Sequence, residues 1–175
     1  MNKIVIGKYK IVLGVIALFV VLSFSGCGVY SFTGASISPE IKTVEIQYFP
    51  NRARLVNPTL SQYFTDALKD KFMSQTNLGL VNTNGDLVFE GEIQDYRTEP
   101  IAIQENQTAA LNRLTIKIKV KFTNKTEPDQ SFDMSFSQSL EYESSASLSS
   151  VEEELVAEIN EALVEDIFNK AVVNW

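Results

Sequence analysis

Four stretches of the chain alternate apolar with polar residues, which is the two-residue period of a strand buried on one face. They cover residues 43–49, 87–94, 113–122 and 132–142, and the short apolar run 78–81 is a candidate fifth strand. In the clearest stretch one face carries Leu114, Ile116, Ile118, Val120 and Phe122, and the other carries Arg113, Lys117, Lys119 and Lys121. The pattern therefore predicts four to five strands with a common apolar face.

Two further segments repeat apolar residues at three- and four-residue steps, as the buried stripe of a helix does. The first has Asn57 as N-cap and Pro58 as first helical residue, and its stripe is Leu60, Tyr63, Phe64, Ala67, Leu68 and Phe72. The second starts at a Ser150–Glu153 capping box, and its stripe is Val151, Leu155, Ile159, Leu163, Ile167 and Ala171. This order of elements predicts an α+β fold: a mixed β-sheet of four to five strands with two amphipathic helices packed on one face, an α/β sandwich. Residues 101–111 are expected to form a hairpin tip.

The N-terminus has the pattern of an export signal. Lys3, Lys8 and Lys10 precede the uncharged run 11–24, whose length of about 14 residues matches a signal-peptide core better than the roughly 20 residues of a spanning helix. The run ends in Phe24-Ser25-Gly26-Cys27, which resembles a bacterial lipobox with Phe24 in place of the usual Leu. We expect residues 1–26 to be a lipoprotein signal peptide, 27–42 a lipidated tether and 43–175 a single domain. A short membrane anchor is the alternative.

The composition excludes most classes of catalytic and metal-binding site. The 175 residues include no histidine and one cysteine, so Ser-His-Asp and Cys-His pairs, His-ligated zinc, thiolate clusters and internal disulfides are excluded. Without residues 1–26 the chain has 12 basic and 22 acidic residues, a net charge of −10. Such a charge argues against nucleic-acid binding and against electrostatic adhesion to an anionic bilayer. Membrane attachment would then come from the acyl chains of an N-acyl diacylglyceryl group on Cys27.

The row Arg113, Lys117, Lys119 and Lys121 is the one cationic feature of this acidic chain, with its heads about 6.6 Å apart on one face of a strand. It is a candidate contact for the phosphates of an anionic ligand or for acidic side chains of a partner. The alternative is a solvated face balanced across strands by Glu90 and Glu92.

Paired carboxylates are the remaining candidates for catalysis. Helix N-terminal electrostatics account for Glu152–Glu154, and Glu141 and Glu143 end a strand beside serines. Neither group suggests the perturbed second carboxylate of a glycosidase. We therefore expect no enzyme activity, no catalytic residue, no metal site and no cofactor other than the lipid.

Several segments together resemble one family. They are Cys27–Gly34, Asn57–Leu60, Asp86–Gly91, Asn112–Thr115 and Val164–Lys170, and they are similar to the LptE lipopolysaccharide-assembly lipoproteins, in the form found in Bacteroidota. The resemblance spans Cys27 to Trp175. It implies an α/β domain that plugs the LptD-type β-barrel of the outer membrane and assists delivery of lipopolysaccharide to the outer leaflet.

The resemblance implies further expectations about place and partners. No acidic run follows Cys27, whereas surface-exported lipoproteins of that bacterial group commonly carry one, so we expect a lipid-anchored protein on the periplasmic side of the outer membrane. Its expected partners are an LptD-like barrel and lipopolysaccharide. The alternative is a free periplasmic lipoprotein that binds a lipid or an anionic glycan without a barrel.

Overall fold

The computed structural model describes residues 37–55, 57–101 and 110–172. Five strands form one mixed sheet: β1 (Thr43–Ile46), β2 (Gly79–Val81), β3 (Leu87–Ile101), β4 (Leu111–Asn124) and β5 (Phe132–Glu143). Their order across the sheet is β2-β1-β3-β4-β5; β1 runs parallel to β2 and β3, and the β3–β4 and β4–β5 pairs are antiparallel. The predicted α+β fold with a mixed sheet is confirmed.

Two helices, α1 (Leu60–Gln75) and α2 (Leu148–Val172), cover one face of this sheet, and a 3₁₀ turn (Pro128–Gln130) precedes β5. The N-cap of α1 is Thr59, and the expected N-cap Asn57 is wrong. Asn57 Oδ1 accepts the backbone N–H groups of Thr59 and Leu60 at 3.1 Å in the turn before the helix. The helix begins only at Leu60, so Pro58 lies in the preceding turn and not at the first helical position.

The expected Ser150–Glu153 capping box is wrong. Helix α2 already begins at Leu148, which packs against the core, so Ser150 lies inside its first turn. The Ser150 hydroxyl and backbone N–H both donate to the Ser147 carbonyl. Burial of an apolar residue upstream has extended the helix beyond the position that the serine pattern indicated.

The core lies between the sheet and the two helices. Across β3, β4 and β5 the inward positions align as Phe89, Phe122 and Phe132, with ring centroids 4.7 and 5.1 Å apart. Phe72 of α1 contacts both Phe89 at 4.9 Å and Phe168 of α2 at 5.0 Å. Both helices therefore pack on the same face of the sheet, as predicted.

One inward position of β3 carries no side chain. A Cβ atom on Gly91 would lie 2.1 Å from the Lys119 carbonyl oxygen and 2.5 Å from the ring of Phe49. Phe49 is fully buried, its backbone N–H donates to Thr65 Oγ1 and its ring packs edge-on against Phe64. The glycine leaves space for the Phe49 ring, in the segment that continues beside β3 after β1.

The expectations for the hairpin tip, the signal peptide and a membrane-spanning helix concern the end of the long hairpin and the N-terminus. Strands β3 and β4 pair along their length up to Ile101 and Leu111, with a bulge between Ile93 and Asp95, so they form the predicted hairpin, and its tip at 102–109 lies outside the described residues. The expected signal peptide 1–26 and the lipidation site Cys27 also lie outside them. None of the helices in the described ranges combines the length and the apolar run needed to cross a bilayer.

Candidate functional site

The predicted basic row lies on β4, between β3 and β5. Arg113, Lys117, Lys119 and Lys121 point away from the helices, because they alternate with the buried Ile116, Ile118 and Val120. The face that they occupy is bordered by the outward side chains of both neighbouring strands.

Carboxylates on those two strands pair with three of the four basic side chains. Arg113 Nη2 lies 2.7 Å from Glu141 of β5, Lys121 Nζ lies 3.0 Å from Glu90 of β3, and Lys119 Nζ lies 3.4 Å from Asp133 of β5. Each partner is at least one-third exposed, so each pair contributes about 0.2–1 kcal/mol to stability.

Lys117 differs from its neighbours because it forms no ion pair with another residue in the described part of the chain. In the register it lies between Asp95 of β3 and Ser137 of β5. Asp95 instead pairs with Arg97, and this pairing raises the pKa of the Arg97 guanidinium. Lys117 is therefore the basic group whose charge an incoming anion could meet without breaking an existing pair.

Across β3, β4 and β5 the outer face is not strongly cationic. Its five basic side chains are the row on β4 and Arg97, and its seven acidic side chains are Glu90, Glu92, Asp95, Glu99, Asp133, Glu141 and Glu143. The expected balance by Glu90 and Glu92 is half right: Glu90 pairs with Lys121, whereas Lys119 takes Asp133 and not the directly opposite Glu92. Sequence alone did not identify Asp133 and Glu141 as partners, because the turn before β5 sets their register.

Three of the other carboxylates singled out from the sequence, Glu152, Glu141 and Glu143, form hydrogen bonds or ion pairs. Glu152 Oε1 accepts hydrogen bonds from the hydroxyl of Tyr96 and, at 3.0 Å, from Asn57 Nδ2, so it joins β3, the turn before α1 and the start of α2. Burial, and then the hydrogen bond to Glu152, raise the pKa of the Tyr96 hydroxyl. Glu141 pairs with Arg113, and Glu143 accepts from Ser145. Within the described ranges no group of three or more acidic side chains is placed to hold a metal ion.

A second surface was not anticipated from the sequence. Helices α1 and α2 enclose a groove of about 1130 Å³ on the side of the helix layer away from the sheet, and Tyr63, predicted to be buried, is 45% exposed there. The sequence signal that could have indicated this groove is the spacing of acidic residues at three- and four-residue steps on each helix. Their assembly into one groove depends on how the helices pack.

Comparison with protein families gives one match that spans the described domain. The family model described as LptE, lipopolysaccharide-assembly, matches residues 41–171. A search of curated protein sequences finds no significant match.

Several solved structures are similar to this chain at low sequence identity. A protein described as a neuraminyllactose-binding hemagglutinin homologue from Helicobacter pylori superposes with a TM-score of 0.52 at 9% identity, over 75% of this chain and 83% of that one. A minor lipoprotein of Acinetobacter baumannii has a TM-score of 0.47 at 14% identity, over 70% and 91% of the two chains. Lipoprotein B of Nitrosomonas europaea has a TM-score of 0.43 at 12% identity, over 73% and 80%. The first of these similarities supports the fold and nothing further.

Proposed function

This chain belongs to the LptE lipopolysaccharide-assembly family, and we propose that it is an outer-membrane lipoprotein that plugs an LptD-type β-barrel and helps to deliver lipopolysaccharide to the outer leaflet. The observation that carries the proposal is the family match over residues 41–171, which includes all five strands and both helices. The proposed role is one of binding and assembly, without a catalytic step and without a cofactor.

The proposal includes the attachment of the protein. Cys27 would carry the lipid, and the domain would lie on the periplasmic side of the outer membrane. Ile37 and Ile41 pack against the core and the backbone N–H groups of Lys42 and Thr43 donate to Asp86, so the described end of the tether is fixed to the domain. A domain on the periplasmic side is shielded by the outer membrane, so protease added to intact cells should spare it. Rapid digestion of the protein in intact cells would contradict this placement.

Co-purification tests the barrel partnership. The full chain, tagged at its C-terminus, is extracted from membranes in mild detergent and purified by the tag. We expect a large β-barrel in a one-to-one complex. A chain that elutes alone but retains lipopolysaccharide or another anionic lipid would favour the alternative, a free periplasmic lipoprotein.

We further propose that Arg113, Lys117, Lys119 and Lys121 contact the phosphates of lipopolysaccharide. The three existing ion pairs are exposed and weak, so a polyanion can replace the carboxylates without a large loss of stability. Lys117 needs no such exchange. Charge-assisted contacts to phosphate are stronger than ordinary hydrogen bonds, and several heads about 6.6 Å apart on one face can act together.

Changing Lys117, Lys119 and Lys121 together to Gln should weaken lipopolysaccharide binding by about 1–3 kcal/mol, more at low salt than at high salt. Lys117→Gln alone should account for a large part of this loss. A titration of the full chain with lipopolysaccharide at two salt concentrations measures both effects, and a thermal melt measures stability.

Lys69→Gln on helix α1 is the matched control for Lys117→Gln, because each removes one positive charge and Lys69 lies in the opposite layer. It should leave the titration unchanged. If the triple variant also titrates like the unmodified chain at both salt concentrations, the row does not contact the anion. A small loss of stability alone would then indicate that these lysines only balance the neighbouring carboxylates.

A further inference from the structure

Strand β5 lies at one end of the sheet, and one of its two backbone edges is free. Strand β4 pairs with the other edge, and α2 packs on the inward face of β5. No strand in the described ranges lies along the free edge. The backbone N–H and C=O groups that point outward along it therefore have no strand to pair with, and such groups readily pair with another extended chain.

The two ends of the sheet differ in how they limit such pairing. Strand β2, at the opposite end, has only three residues. Strand β5 has 12 residues, about 40 Å of extended chain, and it pairs with β4 from Phe132 to Glu143 without a shift of register. It contains no proline and no lysine. Short length, proline, lysine and bulges commonly protect an edge strand, and β5 has none of these four.

The acidic residues of β5 do not block its free edge. Asp133 and Glu141 pair with Lys119 and Arg113 of β4, so their charges are directed toward the sheet and away from the edge. Glu143, at the last position, accepts a hydrogen bond from Ser145. The inward positions carry no charge: they are Phe132, Met134, Phe136, Gln138, Leu140 and Tyr142. An added strand would thus meet no inward-pointing charge, which is a further device that natural proteins use against edge pairing.

One inward side chain of β5 is left partly uncovered. Met134 is 40% exposed, although Phe132 and Phe136 on the same face pack against the core or belong to it. A further strand beside β5 would cover Met134 with an inward side chain of its own. On the outward face the middle of β5 presents the short hydroxyl side chains of Ser137 and Ser139. The edge therefore offers an apolar side and a hydroxyl side to an incoming strand.

Charge disfavours a second copy of this chain as the incoming strand. Two copies related by a two-fold axis through one continuous sheet would pair their β5 strands antiparallel. The two registers with the longest overlap place Asp133 directly opposite Glu141 or Glu143. Like charges in directly opposite positions are destabilising, and each copy is also acidic overall. A different polypeptide fits this edge better.

We propose that the free edge of β5 binds one extended segment of a partner protein as a sixth strand of the sheet. In this mode main-chain hydrogen bonds supply the affinity and alternate side chains supply the specificity. The segment carries β-branched apolar side chains beside Met134 and Phe136 and threonine or serine beside Ser137 and Ser139, since such cross-strand pairs are favourable. The inference is independent of the proposed function, because it requires neither a barrel nor lipopolysaccharide.

A labelled peptide of about ten residues tests the proposal. It alternates valine and threonine, with one lysine and one glutamate at its ends, so its net charge does not draw it to the acidic chain. Its fluorescence anisotropy is followed as the full chain is added in neutral detergent. We expect saturable binding, and proline at two central threonine positions should weaken it at least about tenfold, because proline removes main-chain donors. Equal binding of the two peptides, or no binding of either, would overturn the proposal.

Met134→Lys places a charge on the inward side of the edge, where an added strand would surround it. Because Met134 is 40% exposed, the lysine head can stay in water in the free protein, and the circular dichroism spectrum should be unchanged. The peptide affinity should fall about tenfold. Met73→Lys on α1 is the matched control, since Met73 is 48% exposed and the charge change is the same. It should alter the affinity less than about twofold. Equal weakening by the two variants would contradict binding at this edge.

Amide hydrogen exchange locates the bound peptide without any variant. The peptide should slow exchange in residues 132–143 and leave residues 60–75 of α1 unchanged. Protection confined to segments other than β5 would rule out this edge as the site. Sedimentation of the full chain in the same detergent tests self-association, for which we expect no dimer. A dimer that Met134→Lys dissociates would show that the edge binds a second copy, and it would overturn the assignment to a partner protein.

Discussion

Replacing Gly91 by alanine tests the packing of the sheet most directly. The added Cβ would lie 2.1 Å from the Lys119 carbonyl oxygen and 2.5 Å from the Phe49 ring, and non-bonded contacts this short do not persist in folded proteins. The Lys119 carbonyl belongs to the backbone of β4 and has no rotamer by which to move away. Phe49 is held by Thr65 and Phe64, so the strain must be relieved by a shift of the strands.

The expected cost follows from these constraints. Overpacking of a core costs about 1–3 kcal/mol, and the rigid neighbours place Gly91→Ala at the upper end of that range. Alanine also lowers the conformational entropy of the unfolded chain relative to glycine, which stabilises the folded state by about 0.4–1 kcal/mol. A net loss of about 2 kcal/mol should lower the melting temperature by roughly 4–8 °C, measured by circular dichroism on the full chain in mild detergent.

Gly79→Ala in β2 is the matched control, because a Cβ there meets only the Lys42 carbonyl oxygen at an ordinary 3.8 Å. It should be neutral or slightly stabilising. In a Phe49→Leu background part of the Gly91→Ala penalty should remain, since the Lys119 contact persists. A Gly91→Ala protein that melts at or above the unmodified temperature would refute the reasoning.

Three further predictions concern the anchor and two polar contacts. Cys27→Ser should abolish incorporation of labelled palmitate, and continued labelling would contradict lipidation at this residue. Tyr96→Phe removes the hydroxyl donor to Glu152 and should destabilise the fold by about 1.5–3 kcal/mol in a denaturant titration, whereas an unchanged midpoint would show that the bond is not formed. Hydrogen bonds from the Lys42 and Thr43 backbone lower the pKa of Asp86, so its contribution to stability is present above its usual pKa and is lost as the pH falls through the lowered value. The melting-temperature advantage over Asp86→Asn should therefore shrink below about pH 4, and a constant difference down to pH 2 would contradict this assignment.

The expected fold was accessible from the sequence because its signals are local. Alternation in 113–122 and the stripe from Leu60 to Phe72 depend only on the periods of a strand and a helix, and these place the apolar groups on one side wherever the element lies. The same periodicity predicted that Arg113 and the lysines of β4 share a face. Errors arose at helix ends: α2 begins at the partly buried Leu148, two residues before Ser150, and the turn at Asn57 precedes the start of α1 at Leu60.

Local periodicity was therefore enough to assign the strands and helices, to identify the apolar face of each, and to place the basic row on the polar face. The contacts of each polar group follow from the way the elements pack. Lys119 pairs with Asp133, which the register places opposite Lys121, and not with Glu92, which lies directly opposite Lys119 on β3. Lys121 itself pairs with Glu90. The acidic groove exists because α1 and α2, whose contacts join residues 94 and 95 positions apart, lie side by side on one sheet. Contacts at such separations follow from the packing of whole elements, and no local period of the sequence encodes them.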